Sequence, residues 1–320
     1  MRLTLAARLT CVAVAASAIC CAAGITDLNQ MPGSAFGSYG VIVESNASNS
    51  LSLTSSTTIN GSVALGSPTN GSLVQGGGAT INGNVDFAAG SLSAGAMGVT
   101  VSGSINPNVT NAANAVSDAV SLSSSYASAS GSLLTGSGAV NLNVTTNPGK
   151  EYNSQSNEHV YSLSTSSSMT SLTITAAAGQ DVIINVGAGS SKNWSLIAVT
   201  LSGGITADDV LFNILTTGNL TSANAQNDTI SADIIDLAGN VSINQVTLDG
   251  RLACNIAKQG CTIGSNTYLY QPAPSGSQSG DPPAPEPVTF TLAGAGLLAL
   301  AFGLRRVKAR RSKPVVQSTL

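Results

Sequence analysis

Acid–base chemistry in this 320-residue chain would have to come from one histidine and a few carboxylates. His159 follows Glu158, and an imidazole beside a carboxylate is part of the constellation that activates a serine nucleophile. No serine, however, stands in a Gly-x-Ser-x-Gly sequence. We therefore predict a structural role for His159.

Four aspartates form two pairs, Asp208 with Asp209 and Asp233 with Asp236. Polysaccharide-cleaving enzymes use carboxylates that face one another across the substrate. Adjacent residues of a strand point to opposite faces, and Asp233 and Asp236 flank a predicted chain corner, so we predict four solvated turn residues. No calcium-loop signature is present. The sequence thus predicts no enzyme, no cofactor and no metal site.

Cys254 and Cys261 close an eight-residue segment. In an oxidising compartment such a pair is expected to form a disulfide. A redox or metal site is the alternative, but the Cys-x-x-Cys spacing and a neighbouring histidine are missing.

Both ends of the chain predict export. Residues 1–23 have two arginines before an apolar run and small residues at its end, as in a signal peptide. At the other end, a Pro-, Gly- and Ser-rich spacer (271–287) precedes an uncharged run of 17 residues, 288–304. In a helix that run would span about 25 Å, enough to cross a membrane. The tail 305–320 is basic, which would hold it in the cytoplasm and leave the body outside.

The order of parts at the C-terminus resembles the PEP-CTERM sorting signal of exported bacterial proteins. The motif residues are Pro285, Glu286 and Pro287, and the basic residues expected to retain the precursor in the membrane are Arg305, Arg306, Lys308, Arg310 and Arg311. The resemblance implies a membrane-anchored precursor and an exosortase-like processing protease as partner. It also implies a mature protein at the cell surface or in the extracellular matrix, or secreted. The tail departs from the pattern by continuing well past its first arginine pair.

The body between the two ends is acidic. The span from Asp27 to Glu286, which includes the spacer, carries all 15 acidic residues and only four basic ones, a net charge of −11. Nucleic-acid binding requires a basic surface, so the sequence excludes that class of partner.

A short repeat predicts the fold of the body. Three segments, Ile59–Val63, Ile81–Val85 and Val101–Ile105, share the pattern apolar, polar, Gly, polar, apolar, with glycines 22 and 20 residues apart. That period suits one coil of a β-solenoid, with each glycine at a corner that needs positive φ. Hairpin turns of a β-sandwich remain the alternative, since Asn-Gly also favours them.

One helix is predicted at about 107–130, capped by Asn106, with Pro107 in its first turn and Gly131 at its end. Strands are predicted to follow at 140–144, 160–163, 172–175, 182–186, 196–201 and 210–215. The body, 24–270, is therefore expected to be mainly β.

The order of these elements resembles the ice-binding-like β-solenoid family, and it also resembles choice-of-anchor surface proteins. The resemblance rests on the Ile59–Val63 corner, the helix, His159–Ser162, the strand Asp181–Val186 and Val246–Leu252. It implies a right-handed β-solenoid with one long flanking α-helix, in which the N- and C-terminal sections stack out of sequence order.

Ice binding would need a flat array of stacked threonines. Thr173 and Thr175 form one pair to which Thr54, Thr57 and Thr58 could add, but no such array repeats from coil to coil in the sequence. A fold alone does not carry an activity. We predict a non-enzymatic surface or matrix protein that is adhesive or associated with exopolysaccharide. The alternatives are an ice-binding protein with a Thr-rich face and a carbohydrate-active enzyme using Asp233, Asp236 or His159.

Overall fold

Three parallel sheets form the body of the protein. The computed structural model describes residues 28, 31, 34–44, 51–54, 56–66, 74–75, 78–90, 98–152, 155–255, 260–264 and 266–271. The predicted signal peptide, the Pro-Glu-Pro motif, the apolar run 288–304 and the basic tail lie outside these residues. Within them, no helix is long and apolar enough to cross a membrane.

Strands from distant parts of the chain lie side by side in each sheet. In order across the sheet, sheet A contains β10 (Ser132–Leu134), β13 (Gln155–Leu163), β15 (Asp181–Val186), β18 (Val210–Ile214), β21 (Asp233–Asp236), β24 (Leu252–Asn255), β1 (Val41–Glu44), β4 (Val63–Leu65), β7 (Val85–Phe87) and β9 (Ile105–Asn106), with β12 (Lys150–Tyr152) antiparallel to β13. Sheet B contains β16 (Trp194–Ser195), β19 (Asn219–Thr221), β22 (Asn240–Ile243), β25 (Cys261–Ile263), β2 (Leu51–Leu53) and β5 (Val74–Gln75). Sheet C contains β11 (Ser137–Asn143), β14 (Ser168–Thr175), β17 (Ala198–Ser202), β20 (Thr229–Ser231), β23 (Thr247–Asp249), β26 (Tyr268–Tyr270), β3 (Thr58–Asn60), β6 (Ala79–Ile81) and β8 (Val99–Val101).

Apart from the antiparallel β12–β13 hairpin and the strands β9 and β10 that flank the helix segment, successive strands along the chain belong to different sheets. Each of these strands pairs in parallel with a strand of a neighbouring coil. Hairpins would pair antiparallel, so the solenoid prediction is confirmed over the β-sandwich alternative. Inward side chains of the three sheets meet in one continuous apolar core, which includes Val41, Val63 and Val85 stacked in register. Each coil buries its apolar residues only against its neighbours, as expected of a solenoid.

The coils do not stack in sequence order. Val41 of β1 pairs with Leu252 of β24 on one side and with Val63 of β4 on the other. Sheets B and C repeat the arrangement, since β2 lies between β25 and β5, and β3 lies between β26 and β6. The N-terminal coils therefore extend the stack beyond the C-terminal ones, and the out-of-order arrangement implied by the resemblance is confirmed.

The helix α1 (Thr110–Ala127) returns the chain along sheet A from β9 toward β10. Its 18 residues give a length of about 27 Å. The helix was predicted, but its ends were placed too far out, because the N-cap is Val109. Asn106 lies in β9, where its side chain donates to Asp86 Oδ1 at 2.7 Å instead of capping the helix.

A second apolar layer and a line of polar groups fix α1 to sheet A. Ala115, Ala119 and Leu122 of the helix pack on outward aliphatic side chains of the sheet. Ser123 Oγ donates to Asn213 Oδ1 at 2.7 Å, and Asn213 Nδ2 donates to Asn185 Oδ1 at 3.0 Å. These buried amides pair with one another, which avoids the cost of unsatisfied polar groups.

The corner glycines are required for a different reason from the one predicted. Gly61, Gly83 and Gly103 do not have positive φ. Instead the coils approach so closely that a Cβ on Gly83 would lie 2.8 Å from the Ser62 nitrogen, and one on Gly103 would lie 2.6 Å from the Gly83 oxygen. Both distances are shorter than real Cβ contacts, so no larger residue fits without moving the backbone.

Cys254 and Cys261 form the predicted disulfide, with their Cα atoms 6.2 Å apart. The bond joins β24 of sheet A to β25 of sheet B, and both residues are buried.

Candidate binding faces

Asp208 and Asp233, two of the four aspartates, lie beside the same arginine. Their carboxylates are buried and do not face each other across an open groove. Arg251, which is fully buried, places Nη1 against Asp208 Oδ1 and 3.2 Å from Asp233 Oδ2. The guanidinium also donates to the carbonyl of Gly37, which ties the N-terminal segment to the solenoid. The prediction of solvated turn residues is wrong here, because a guanidinium beside the two carboxylates offsets part of the cost of burying them.

The pKa of Asp233 is raised to about 7, because burial raises it and the neighbouring Asp208 adds to the rise, while Arg251 opposes both.

The other two aspartates stabilise turns. Asp209 Oδ2 accepts from the backbone nitrogen and the hydroxyl of Thr206, each at 2.8 Å. Asp236 is buried and not solvated as predicted, and its Oδ1 accepts from the Gly239 nitrogen at 2.9 Å. Burial raises the pKa of Asp236 to about 6.

His159 lies in β13 with 5% of its surface exposed. Its Nε2 is 3.3 Å from Gln180 Nε2, and burial lowers its pKa. Within the described residues, no group of three or more His, Cys, Asp or Glu side chains could hold a metal ion.

The outer surface of sheet A is covered by α1 and by the N-terminal residues that pack beside it. The described elements leave much of the outer rows of sheets B and C solvent-accessible.

Sheet B presents a row of small hydroxyl side chains, which we call the hydroxyl ladder. Its members, one from each of five neighbouring strands, are Ser195, Thr221, Ser242, Thr262 and Ser52. Strands in a sheet are about 4.8 Å apart, so the ladder is about 19 Å long. Ser242, in the middle, is exposed and the other four are half-buried.

The hydroxyls of the central part of the ladder form no hydrogen bond within the part of the chain that the structure describes. Those of Ser242, Thr262 and Ser52 make no hydrogen bond with any other described group, whereas Ser195 Oγ accepts from the Asn224 nitrogen at 2.9 Å. The five members of the ladder include no charged or aromatic side chain, and the next residue in register beyond Ser52 is Gln75. The ladder can offer regularly spaced hydroxyl and methyl groups to ordered water.

Sheet C has a more varied surface. One outer row contains Thr229, Thr247, Tyr268, Thr58, Thr80 and Thr100. The next row contains Ser231, Asp249, Tyr270 and Asn60. Tyr268 and Tyr270 interrupt both rows of small side chains.

The five threonines considered for an ice-binding array do not lie together in the structure. Thr173 and Thr175 lie on the outer side of sheet C, and Thr58 lies on the same sheet but far along the stack. Thr57 is buried and donates to the Gly264 carbonyl at 2.8 Å, so it cannot join a surface array. Thr54 lies just after β2. No array of threonines repeats from coil to coil along the sequence, but rows of Ser and Thr hydroxyls appear once the coils are placed in spatial order.

The sheets and helix are similar in arrangement to solved ice-binding proteins. The protein from the Antarctic ascomycete Antarctomyces psychrotrophicus is 12% identical, with 78% of this chain and 98% of that one covered and a TM-score of 0.48. The glycosylated protein LeIBP from an Arctic yeast is 15% identical, with coverages of 80% and 96% and a TM-score of 0.48. The one from an Antarctic biological consortium is 16% identical, with coverages of 73% and 88% and a TM-score of 0.47.

No family model matches the chain, and no curated protein matches its sequence. At these identities and TM-scores the likeness concerns the general arrangement of elements, and it transfers no activity.

Sequence reasoning missed the hydroxyl ladder, although a local signal exists. Leu51-Ser-Leu53, Val241-Ser-Ile243 and Cys261-Thr-Ile263 each place one small hydroxyl residue between two buried apolar residues. That alternation is typical of a strand with one polar face. Only the spatial order of the coils shows that the three segments are neighbours.

Proposed function

We propose that this chain is an exported, non-enzymatic protein that binds ice through the hydroxyl ladder of sheet B. The observation that carries the proposal is the ladder itself, five Ser and Thr side chains at a constant repeat of about 4.8 Å on a rigid sheet. Water molecules in ice also lie at constant spacings, so a rigid row of hydroxyls can match a row of them, whereas mobile side chains cannot.

The small size of the ladder residues supports the proposal. Ice is a flat, extended ligand, and a single large side chain would hold the surface away from the remaining groups. Binding that depends on many weak contacts formed together is sensitive to one such obstruction. The proposal does not rest on the likeness to solved ice-binding proteins, which is too distant to carry it.

A substitution in the ladder tests the proposal. The full chain is expected to inhibit ice recrystallisation and to shape ice crystals, and Ser242→Tyr is expected to abolish both effects. Thr100→Tyr is the matched control, since it places the same ring on an exposed position of sheet C and should leave both effects intact. The proposal is wrong if the unsubstituted chain has no effect on ice at high concentration, or if the two variants lose activity equally.

We further propose delivery through the C-terminal sorting signal. The motif Pro285, Glu286 and Pro287, the apolar run and the basic tail support processing by an exosortase-like protease and placement at the cell surface or release. Fractionation of cells that produce the intact chain and a chain lacking 285–320 tests this step. Identical location and size of the two proteins would overturn the sorting proposal without affecting ice binding.

A further inference from the structure

Two aromatic side chains stand side by side on sheet C. Tyr268 and Tyr270 of β26 are 41% and 44% exposed, whereas Leu269 between them is fully buried. Because they are two residues apart on one strand, they leave the same face of the sheet roughly 6.7 Å apart. We call them the tyrosine pair. They are two of the four large hydrophobic side chains that are exposed in the described part of the chain.

Polar groups border the tyrosine pair on both sides. On β23, Thr247 is in register with Tyr268 and Asp249 with Tyr270. On the other side, Asn60 of β3 is in register with Tyr270, and its side-chain oxygen accepts from Asn82 Nδ2 at 2.7 Å. Each tyrosine therefore lies about one strand spacing, roughly 4.8 Å between backbones, from residues that carry hydroxyl, amide or carboxylate groups.

A shallow groove of about 440 Å³ continues from Asp249 away from the tyrosine pair. Its floor includes Thr200, Thr229 and Ser231, and the turn around Thr206 forms a wall. The capping interactions between Thr206 and Asp209 fix that turn. The groove and the tyrosine pair share one outer face, with Asp249 at the boundary.

The charge and the hydrogen-bonding groups around the tyrosine pair determine which class of ligand fits this surface. Asp249 and the net charge of −11 between Asp27 and Glu286 oppose an anion. The surrounding hydroxyls, amide and carboxylate would be left unpaired under an apolar partner, which costs free energy. A neutral sugar suits both features, since the C–H groups on its ring face pack against the negative face of an aromatic ring and its hydroxyls pair with the polar border.

We propose that Tyr268, Tyr270 and Asp249 form a binding site for a neutral polysaccharide, with the groove accommodating further sugar units. Two separate rings and an adjoining groove are more than one sugar unit would use, so the ligand is a chain of sugars. The site goes beyond ice binding and lies on a different sheet, because the tyrosine rings rise above the rows of small side chains and prevent a flat lattice from settling there.

The test is retardation of the full chain in gels that contain a neutral polysaccharide, with mannan, galactan and soluble cellulose derivatives as separate probes. Retardation by at least one of them is expected, and Tyr268→Ala and Tyr270→Ala should each weaken it about tenfold. The corresponding Phe variants keep the ring and should bind as the unsubstituted chain does. Thr100→Ala, on the same sheet three strands away, is the matched control and should have no effect.

Three outcomes overturn the proposal. They are no retardation by any neutral polysaccharide, stronger retardation by anionic alginate than by the neutral probes, and equal retardation of the Ala variants and the unsubstituted chain. If sedimentation shows instead that the tyrosine pair joins two copies of the chain, and the Ala variants separate them without changing retardation, the surface is a self-interface and the proposal is wrong. Ser242→Tyr should leave polysaccharide binding intact, so failure of the ice-binding proposal would be distinguishable.

Discussion

The stability of the protein should fall as the pH rises through neutrality, and Asp233 should be a main cause. Its pKa is raised by burial to about 7 in the folded chain, against about 3.9 for an unfolded chain. The folded state thus binds the proton more tightly than the unfolded state. The resulting stabilisation is complete below about pH 4 and is lost as the pH rises to the folded pKa.

The size of the effect depends on how much of the pH interval between the unfolded and folded pKa values of Asp233 an experiment covers. Between pH 5.5 and 8.5 the free energy of unfolding should drop by about 2 kcal/mol in all, with a slope of about 1.4 kcal/mol per pH unit well below the folded pKa and a smaller slope near it. Above pH 8 the change should level off. Asp236, whose pKa burial raises to about 6, adds a loss of the same sign at the acid end of the range. His159, whose pKa burial lowers, has the opposite sign.

Urea unfolding of the full chain at pH 5.5 and 8.5 measures the effect, followed by the fluorescence of Trp194, the single tryptophan, which is buried beside Phe212. The comparison is with Asp233→Asn, which keeps a side-chain oxygen for the Arg251 nitrogen but cannot ionise. The difference between the two proteins isolates Asp233 from the other titrating groups. Parallel pH profiles for the two proteins would show that Asp233 does not titrate in this range, and the reasoning about the buried cluster would be refuted.

Three further changes test other parts of the fold by the same urea unfolding measurement. Arg251→Met should lower the free energy of unfolding by about 3–5 kcal/mol, because two buried carboxylates lose their counter-ion; a loss below about 1 kcal/mol would contradict that. Replacing Cys254 and Cys261 by Ala should cost about 2.5 kcal/mol, and added reductant should no longer affect the variant. Gly83→Ala should cost about 1–3 kcal/mol through overpacking against the neighbouring coil, and an unchanged midpoint would show that the corner can widen.

The local elements could be predicted from the sequence because their signals are local. Most strands from Val140 to Leu215 appear where runs of aliphatic residues predict them, and the Asn106–Gly131 segment contains the helix. The strand predicted at 196–201 is wrong at its start, because Leu196 and Ile197 lie between β16 and β17, which belong to different sheets. The helix ends were misplaced because Asn106 and Pro107 have the chemistry of a helix start, yet Asn106 is used in β9 to bond Asp86. A tertiary contact thus overrides a capping preference.

The binding surfaces could not be predicted, because their members are distant in sequence. Ser52 and Thr262 are paired neighbours in the hydroxyl ladder although more than two hundred residues separate them. The buried aspartates were missed for the same reason, since the sequence does not show that Arg251 lies beside both Asp208 and Asp233. The sequence shows which residues carry a charge. Whether a charged side chain is buried or solvated depends on the residues that lie beside it in the fold.

The out-of-order stacking has a consequence for how the protein is made. Strands β1 to β9 are synthesised first, yet the surface on which β1 docks is supplied by β24, more than two hundred residues later. During synthesis or export the early coils keep an open strand edge, and such edges recruit other chains. Pairings of this sequence separation also slow folding. A circularly permuted chain that begins near Ser132 would lay down its coils in spatial order, and it should refold faster and aggregate less than the natural order of synthesis allows.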